Sequence, residues 1–272
     1  MIRAVTLDAY GTVFDFESHL SDVAAEVLAA GRATGPSPRA LAEAWSSHFT
    51  ALYDEFGRRH HEDGREFRTI AELTTDALAA AYRQHGLGRI DPRPGVEIWL
   101  ARLRDVRPFP EAETVIGMLA PRYKLAMLSD TDDDIIAPAL ERLAFAFGDR
   151  DQGRGAGGEG RVTTASASSS SPPHPAPRTR PFRFVLTSEQ VRAYKQDPRA
   201  VLFRRALEEL GLSAWEVLHV GDSTADIRGA RTAGMRVAWV NRAGWPLPAG
   251  CPRPDAEIRD LAAVPEIAES MS

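Results

Sequence analysis

The stretch Val217-Leu-His-Val-Gly-Asp-Ser-Thr-Ala-Asp-Ile-Arg-Gly-Ala-Arg-Thr-Ala-Gly-Met-Arg-Val-Ala-Trp-Val240 decides the fold. Its two ends, Val217 to Val220 and Arg236 to Val240, are short apolar runs of the kind that form buried strands. Between them, Asp222 can cap a helix that contains Asp226. A strand, a helix and a second strand in succession predict one unit of a parallel sheet.

The same alternation continues toward the N-terminus. Three further apolar runs predict strands: Ile2 to Leu7, Tyr123 to Leu128 and Phe184 to Thr187. Helices are predicted after Pro110, near Asp132 to Leu143, and from Pro198 to Leu210. We therefore predict an α/β fold, a doubly wound parallel sheet with helices on both faces.

A different pattern interrupts this alternation after the first strand. Leucine- and alanine-rich segments recur at helical spacing in Leu20 to Ala30, Pro38 to Phe56 and Phe67 to His85. We interpret residues 15–104 as an inserted helical domain, a cap, and residues 1–14 and 105–272 as the α/β core.

A second interruption, at residues 148–181, is rich in glycine, serine and proline. Such a composition buries too little apolar surface to offset the entropy of ordering the chain. We predict a disordered, low-complexity insertion within the core.

Composition limits the class of protein. The chain has 272 residues, with 33 basic and 38 acidic side chains and a formal charge of −5, which argues against a nucleic-acid partner. No apolar run approaches the roughly 20 residues that span a bilayer. Cys251 is the one cysteine, and strand-like sequence begins directly at the N-terminus. We therefore expect a cytoplasmic protein, monomeric or homodimeric, that acts on a small molecule.

Polar side chains follow several predicted strands. They are Asp8, Ser129, Lys195, Asp222 and Asp226. Each has an ordinary explanation as a turn residue, a helix cap or a solvated side chain. In an open parallel sheet, however, functional groups gather where the strands end, so together these residues predict an active site.

Four segments in order resemble the motifs of the haloacid dehalogenase superfamily. Asp8 to Val13 resembles the first motif, and Leu128-Ser129 resembles the second. Tyr194-Lys-Gln-Asp-Pro198 resembles the third, in which the family usually has Lys-Pro-Asp-Pro. The stretch from Val220 to Met235 resembles the fourth closely. The resemblance spans nearly the whole chain and implies that family's core with a helical cap.

The resemblance implies a hydrolase with a covalent aspartyl intermediate. Asp8 is the expected nucleophile. Mg²⁺ suits an anionic phosphoryl substrate, and the expected metal ligands are Asp8, the backbone carbonyl of Tyr10 and Asp222, with support from Asp226.

The resemblance also implies groups that neutralise charge. Lys195 is expected to balance the charge of Asp8, and Asp226 to orient Lys195. The hydroxyls of Ser129 and Thr12 are expected to donate to the anionic group of the substrate.

Tyr10 departs from the phosphatase pattern. Phosphatases of this superfamily carry an aspartate two residues after the nucleophile, where it protonates the leaving oxygen. A phenol with a pKa near 10 is a poor general base at neutral pH. The sequence Asp8-Ala-Tyr10-Gly-Thr12 is instead similar to the 2-haloacid dehalogenase branch, in which halide leaves without a proton.

The dehalogenase pattern is also incomplete. Ser46 follows Trp45 where that branch has the arginine that grips the substrate carboxylate. Val201 stands at the position of an active-site tyrosine, and Gly221 and Ser223 replace a serine and an asparagine.

Three functions therefore remain open. The preferred one is Mg²⁺-dependent hydrolysis of a small phosphorylated metabolite. The second is a metal-independent hydrolase of the dehalogenase type. The third is a weakly active or inactive relative that binds a ligand.

Two other charged clusters have structural explanations. Arg58 to Asp63 is a mixed run of the kind found in solvated loops, and Asp132 to Asp134 places acids at a predicted helix N-terminus, where they complement the helix dipole.

Overall fold

The computed structural model describes residues 1–16, 20–31, 35–59, 66–143 and 181–271. In these ranges the strands are β1 (Ala4–Leu7), β2 (Phe14–Asp15), β3 (Arg107–Pro108), β4 (Lys124–Ser129), β5 (Phe182–Thr187), β6 (Val217–Gly221), β7 (Arg236–Val240) and β8 (Ala256–Ile258). The helices are α1 (Leu20–Ala30), α2 (Pro38–Arg59), α3 (Ile70–Gln84), α4 (Arg93–Arg104), α5 (Ala112–Leu119), α6 (Asp133–Glu141), α7 (Ser188–Val191), α8 (Val201–Leu210), α9 (Thr224–Ala233) and α10 (Val264–Ser270).

Six of the strands form one sheet in the order β5-β4-β1-β6-β7-β8. Every neighbouring pair in it is parallel. Parallel neighbours need crossover connections, which contain helices except between β7 and β8, where the chain from 241 to 255 has neither helix nor strand. The predicted α/β class with a parallel sheet is confirmed.

Apolar side chains cover both faces of this sheet. On one face Leu7 and Met127 belong to a cluster that includes residues of α5, α6 and α10. On the other face Val217 and Val237 pack with Phe203 of α8 and with residues of α9. Burial on both faces explains why the strands read as nearly continuous apolar runs.

The helices α1 to α4 lie between β2 and β3. These two short strands pair antiparallel, with Phe14 opposite Pro108 and Asp15 opposite Arg107, so the chain leaves the core and returns to it at one place. The four helices have their own apolar cluster, which includes Leu41, Trp45 and Leu78. They occupy the place predicted for the cap, whose boundaries at residues 15 and 104 stay a prediction.

The helix α4 and the strand β8 were not among the predicted elements. Arg93-Pro94-Gly95 reads as a turn, but proline is tolerated in the first turn of a helix, where its missing N–H has no partner to lose. Gly95 is needed there because a Cβ at this position would lie 2.8 Å from atoms of both Leu78 and Val27. The strand β8 has only three residues, too few for a periodic signal.

Two predictions fall wholly or largely outside the described residues. The predicted disordered insertion, residues 148–181, is one, and most of the charged run from Arg58 to Asp63 is the other. Within the described ranges, every helix is too short or too polar to cross a bilayer.

Candidate active site

The carboxyl ends of three neighbouring strands bring the predicted residues together. Leu7 of β1 lies opposite Met127 of β4 and Val220 of β6. Because the strands are parallel, Asp8, Ser129 and Asp222 emerge at the same edge of the sheet. The backbone N–H of Asp8 donates to the carbonyl of Val220 at 2.9 Å, which fixes the start of the loop after β1.

Lys195 reaches this edge from the chain that follows β5 and α7. Its ammonium contacts Oδ1 of Asp8 and lies 2.7 Å from Oδ1 of Asp226. Only 2% of the surface of Lys195 is exposed, and Asp8 and Asp226 are also buried. The structure therefore places a cation between two carboxylates in a site withdrawn from water.

The three charges change one another's proton affinity. Burial alone lowers the pKa of Lys195, but the carboxylates of Asp226 and Asp8 more than reverse this and raise it above its ordinary value. Burial also opposes ionisation of Asp226, yet Lys195 and then His219 hold its pKa well below the usual range. For Asp8 burial is the largest effect and raises the pKa, and Lys195 opposes that rise.

A buried histidine that the sequence analysis did not single out supports Asp226. Nε2 of His219 lies 2.9 Å from Oδ1 of Asp226, and Nδ1 lies 2.9 Å from the hydroxyl of Thr6. The other oxygen of Asp226 accepts from the hydroxyl of Ser223 at 2.5 Å, in the capping box that begins α9. A histidine inside the apolar run from Val217 to Val220 was the signal that could have pointed to it.

Asp222 lies against the loop that follows Asp8. The hydroxyl of Thr12 lies 3.4 Å from Oδ1 of Asp222, which is longer than an ordinary hydrogen bond between two oxygens. Gly11 has a φ of +85°, and a Cβ there would lie 2.1 Å from Oδ2 of Asp222. Glycine is therefore required both by the backbone conformation and by this close approach.

Asp8, Asp222 and Asp226 could hold a metal ion. Each offers one carboxylate oxygen, and the three oxygens lie within 4.8 Å of one another. Hard oxygen ligands of this kind suit Mg²⁺, so the residues present fit the predicted ion.

The hydroxyl of Tyr10 faces two backbone carbonyls. Its hydroxyl lies 3.4 Å from the carbonyl oxygens of Leu103 in α4 and Ile135 in α6. Its ring packs against Phe14 and Phe16. Burial raises the pKa of the phenol above its ordinary value, which makes the hydroxyl a still poorer acid. Ser129 is buried at the end of β4, as predicted.

Two acidic residues after β4 connect the core to the inserted helices α1 to α4, called the helical insertion below. Asp130 accepts a hydrogen bond from the hydroxyl of Tyr53 in α2. Asp132 accepts from the backbone N–H groups of Ile70 and Ala71, at 2.8 and 2.9 Å, and so caps α3. From the sequence, Asp132 was expected to complement the dipole of its own helix, α6, and no pattern pointed to Asp130 or Tyr53.

A family comparison agrees with this geometry. The family described as haloacid dehalogenase-like hydrolase matches residues 2–234. The chain belongs to this hydrolase family. The resemblance drawn from the four motifs is thereby confirmed, and the protein is an enzyme of the haloacid dehalogenase superfamily.

Relatives that match most of the chain are dehalogenases. The (S)-2-haloacid dehalogenase of Pseudomonas sp. (strain YL) is 26% identical over 270 residues, covering 99% of this chain and 95% of the relative. The (S)-2-haloacid dehalogenase 4A of Burkholderia cepacia is 25% identical over 249 residues, covering 90% and 85%. The structure of the L-2-haloacid dehalogenase RSc1362 has a TM-score of 0.73 at 22% identity, covering 98% of this chain and 99% of that one, which shows a shared fold.

A phosphatase matches a shorter part of this chain. The phosphoserine phosphatase of Thermus thermophilus is 43% identical over 84 residues, which is 30% of this chain and 32% of the relative. The preferred phosphatase interpretation of the sequence therefore has less support than the dehalogenase alternative.

Ser46 lines a small cavity within the helical insertion. The cavity has a volume of about 80 Å³, and aromatic rings make up most of its wall: Phe16, Trp45, Phe49 and Trp99. The remaining lining residues are Ser46 and Thr74, so the wall of this cavity carries no cationic side chain to pair with a substrate carboxylate.

Proposed function

We propose that this hydrolase displaces halide from a small 2-haloacid through an ester of Asp8, without a metal ion. The orientation of Tyr10 carries this proposal. Its hydroxyl faces the carbonyls of Leu103 and Ile135, so the position that holds a proton donor in phosphatases supplies none here. Halide is a leaving group that needs no proton, and two relatives that span most of the chain bear the name (S)-2-haloacid dehalogenase.

The reaction has two steps. In the first, a carboxylate oxygen of Asp8 attacks the carbon that bears the halogen, the carbon–oxygen bond forms, and halide leaves with the bonding electron pair. In the second, water attacks Cγ of the ester, and the bond breaks between Cγ and the Asp8 oxygen that is now bonded to the substrate carbon, so this oxygen becomes the product hydroxyl. The 2-hydroxyacid and one proton are released, and Asp8 regains a carboxylate.

Lys195 and Asp226 prepare the nucleophile. The ammonium contacts Asp8, so it favours the charged form of this carboxylate against the effect of burial and directs one oxygen. Asp226 holds the same ammonium at 2.7 Å and is itself held by His219. The hydroxyls of Ser129 and Thr12 lie at the same edge of the sheet and are the proposed donors to the substrate.

The second candidate is a Mg²⁺-dependent phosphatase. The cluster of Asp8, Asp222 and Asp226 favours it, because three carboxylates within 4.8 Å suit a divalent cation. When bound, Mg²⁺ would neutralise the charge of a phosphoryl group. Asp8 and Asp222 would hold it, with the carbonyl of Tyr10 and with support from Asp226.

Turnover with and without a chelator separates the candidates. We expect release of halide from L-2-chloropropionate that EDTA does not reduce, and loss of this activity in Asp8→Asn. Hydrolysis of p-nitrophenyl phosphate that EDTA abolishes would instead support the phosphatase. Inactivity on broad panels of both substrate classes would favour the third possibility, a relative that only binds its ligand.

Isotope labelling tests the ester directly. In water enriched in a heavy oxygen isotope, the ester route places the label in the carboxylate of Asp8 before it reaches the product. We expect mass spectrometry of the peptide containing Asp8 to show the added mass after turnover. Label that enters the product at the first turnover and never enters the peptide would contradict a covalent intermediate.

A further inference from the structure

The segment that carries Lys195 is held by the helical insertion on both sides of the lysine. The hydroxyl of Tyr194 donates to the carbonyl of Arg68 at 2.7 Å, just before α3. Nε2 of Gln196 donates to the carbonyl of Tyr53 in α2 at 2.8 Å. The position of Lys195 therefore depends on where the inserted helices lie.

One carboxylate joins α2 to the backbone of Lys195. The N–H of Lys195 lies 3.0 and 3.1 Å from the two oxygens of Asp130. The hydroxyl of Tyr53 donates to Oδ2 of the same carboxylate. Asp130 follows Ser129 at the end of β4, so it is anchored at the catalytic edge of the sheet.

We propose that Tyr53 is a positioning residue, whose hydroxyl fixes Asp130 and thereby sets the backbone of Lys195 so that the ammonium meets Asp8. The hydroxyl thus links α2 to the backbone of the lysine whose ammonium contacts Asp8. The inference rests on the proposed function only in that Lys195 serves Asp8 during turnover.

Packing against α2 holds the segment that carries Lys195 in place, and the hydroxyl of Tyr53 adds a directional hydrogen bond to Asp130. The rings of Tyr53 and Tyr194 meet edge to face at 5.1 Å between centroids. A Cβ at Gly57 would lie 2.6 Å from the side chain of Gln196, so α2 approaches the segment closely. A change from tyrosine to phenylalanine at position 53 would keep this ring packing and remove only the bond to Asp130.

The pKa of Asp130 reports whether the hydrogen bond from Tyr53 is formed. Burial raises the pKa of Asp130 to about 7, and Lys195 and the hydroxyl of Tyr53 oppose that rise. The titratable groups that interact with Asp130 are Tyr53 from α2, Lys195 and Tyr194 from the segment after α7, and Asp226 from α9, which adds to the rise. Removing the hydroxyl should therefore raise the pKa of Asp130 further.

The backbone amide of Lys195 can be followed by NMR during a pH titration, without any substrate. In the wild type we expect its resonance to titrate with a midpoint near 7, and in Asp130→Asn we expect that titration to vanish. Tyr53→Phe should raise the midpoint by about one pH unit. Tyr82→Phe, the same change in α3 of the insertion, is the control and should leave it unchanged. A midpoint in Tyr53→Phe equal to that of the wild type would overturn the proposal.

Kinetics separate positioning from binding. With L-2-chloropropionate as the probe, Tyr53→Phe should lower kcat about tenfold and change KM less than about twofold. Tyr82→Phe should change neither. Equal kcat values in the two variants would overturn the proposal. If the wild type does not turn over this probe, the proposed function fails, and the NMR titration alone decides the role of Tyr53.

Discussion

At the scale of single residues, the site depends on one buried cation between two buried carboxylates. Moving a charge out of water costs several kcal/mol, which is recovered only if partners remain in contact. Lys195 meets this condition through Asp8 and Asp226, and His219 satisfies Asp226 from the other side. Removing one of these charged side chains leaves the buried charges of the others without a partner.

Lys195→Met should therefore destabilise the fold as well as the reaction. Two carboxylates would remain buried side by side without their cation, and we expect the free energy of unfolding to fall by about 3–5 kcal/mol. Urea denaturation measures this change. Lys124→Met is the control, because the ammonium of Lys124 donates to a backbone carbonyl, that of Leu210, and its loss should cost much less. Equal losses in the two variants would show that Lys195 is not held as a buried ion.

Tyr10→Phe tests whether the hydroxyl takes part in the chemistry. Since the hydroxyl faces Leu103 and Ile135, we expect kcat to stay within about threefold of the wild type. The assay is release of halide under saturating substrate. A loss of a hundredfold or more, with an unchanged melting temperature, would mean that the phenol reaches the reacting atoms during turnover.

Tyr10→Asp distinguishes the two candidate reactions. For a dehalogenase, a further negative charge beside Asp8 raises the pKa of the nucleophile and repels the substrate carboxylate, so the rate should fall. For a phosphatase, the new acid can protonate a departing alkoxide, so substrates with poor leaving groups should react faster. We expect the slower enzyme. Faster hydrolysis of alkyl phosphates would favour the second candidate instead.

At the scale of elements, helix α3 begins on a carboxylate from another part of the chain. The first N–H groups of a helix lack partners within the helix. Asp132 accepts two of them, from Ile70 and Ala71, while Thr69 and Glu72 form a capping box at the same helix end. The N-terminus of α3 is thus fixed to the core.

Asp132 should make stability depend on pH in an unusual direction. Burial raises its pKa from 3.8 to about 6, so the folded protein binds this proton more tightly than the unfolded chain. The contribution of Asp132 to the free energy of unfolding therefore rises as the pH falls from about 6 to about 4, and it is lost above about 6.

The variant Asp132→Asn isolates that contribution, because asparagine keeps the shape without the titration. We expect the stability of the wild type relative to this variant to decrease by roughly 2 kcal/mol as the pH rises from about 4 to about 7, measured by urea denaturation. A constant or increasing difference over this range would show that the pKa of Asp132 is not raised.

At the scale of the whole molecule, a bound ion would stabilise the folded chain. Mg²⁺ present at about 100 times its Kd would add about 2.7 kcal/mol, which corresponds to a rise in Tm of more than about 5 °C. Under the proposed function Lys195 balances Asp8 and Asp226, and we expect Mg²⁺ to leave Tm unchanged. A rise in Tm that disappears in Asp222→Asn would indicate a metal site and favour the phosphatase.

The positions of the site residues at the ends of the strands could be predicted from the sequence, because local patterns encode them. Asp8, Ser129 and Asp222 each follow an apolar strand, and parallel strands place their ends at one edge. The four motifs identified the family from residues that are near neighbours in the chain. They also exposed the conflict between Tyr10 and Asp222, which the fold alone does not resolve.

Local patterns thus predicted the parallel sheet, the inserted helices and the sheet edge that carries the candidate site, since strand period, helix period and motif order are properties of short segments. The contacts of the Tyr10 hydroxyl with Leu103 and Ile135, and of Tyr53 with Asp130, became visible only in the folded chain. These contacts join residues 77 to 125 positions apart. They depend on how the inserted helices pack on the core, which no local pattern of hydrophobicity or charge specifies.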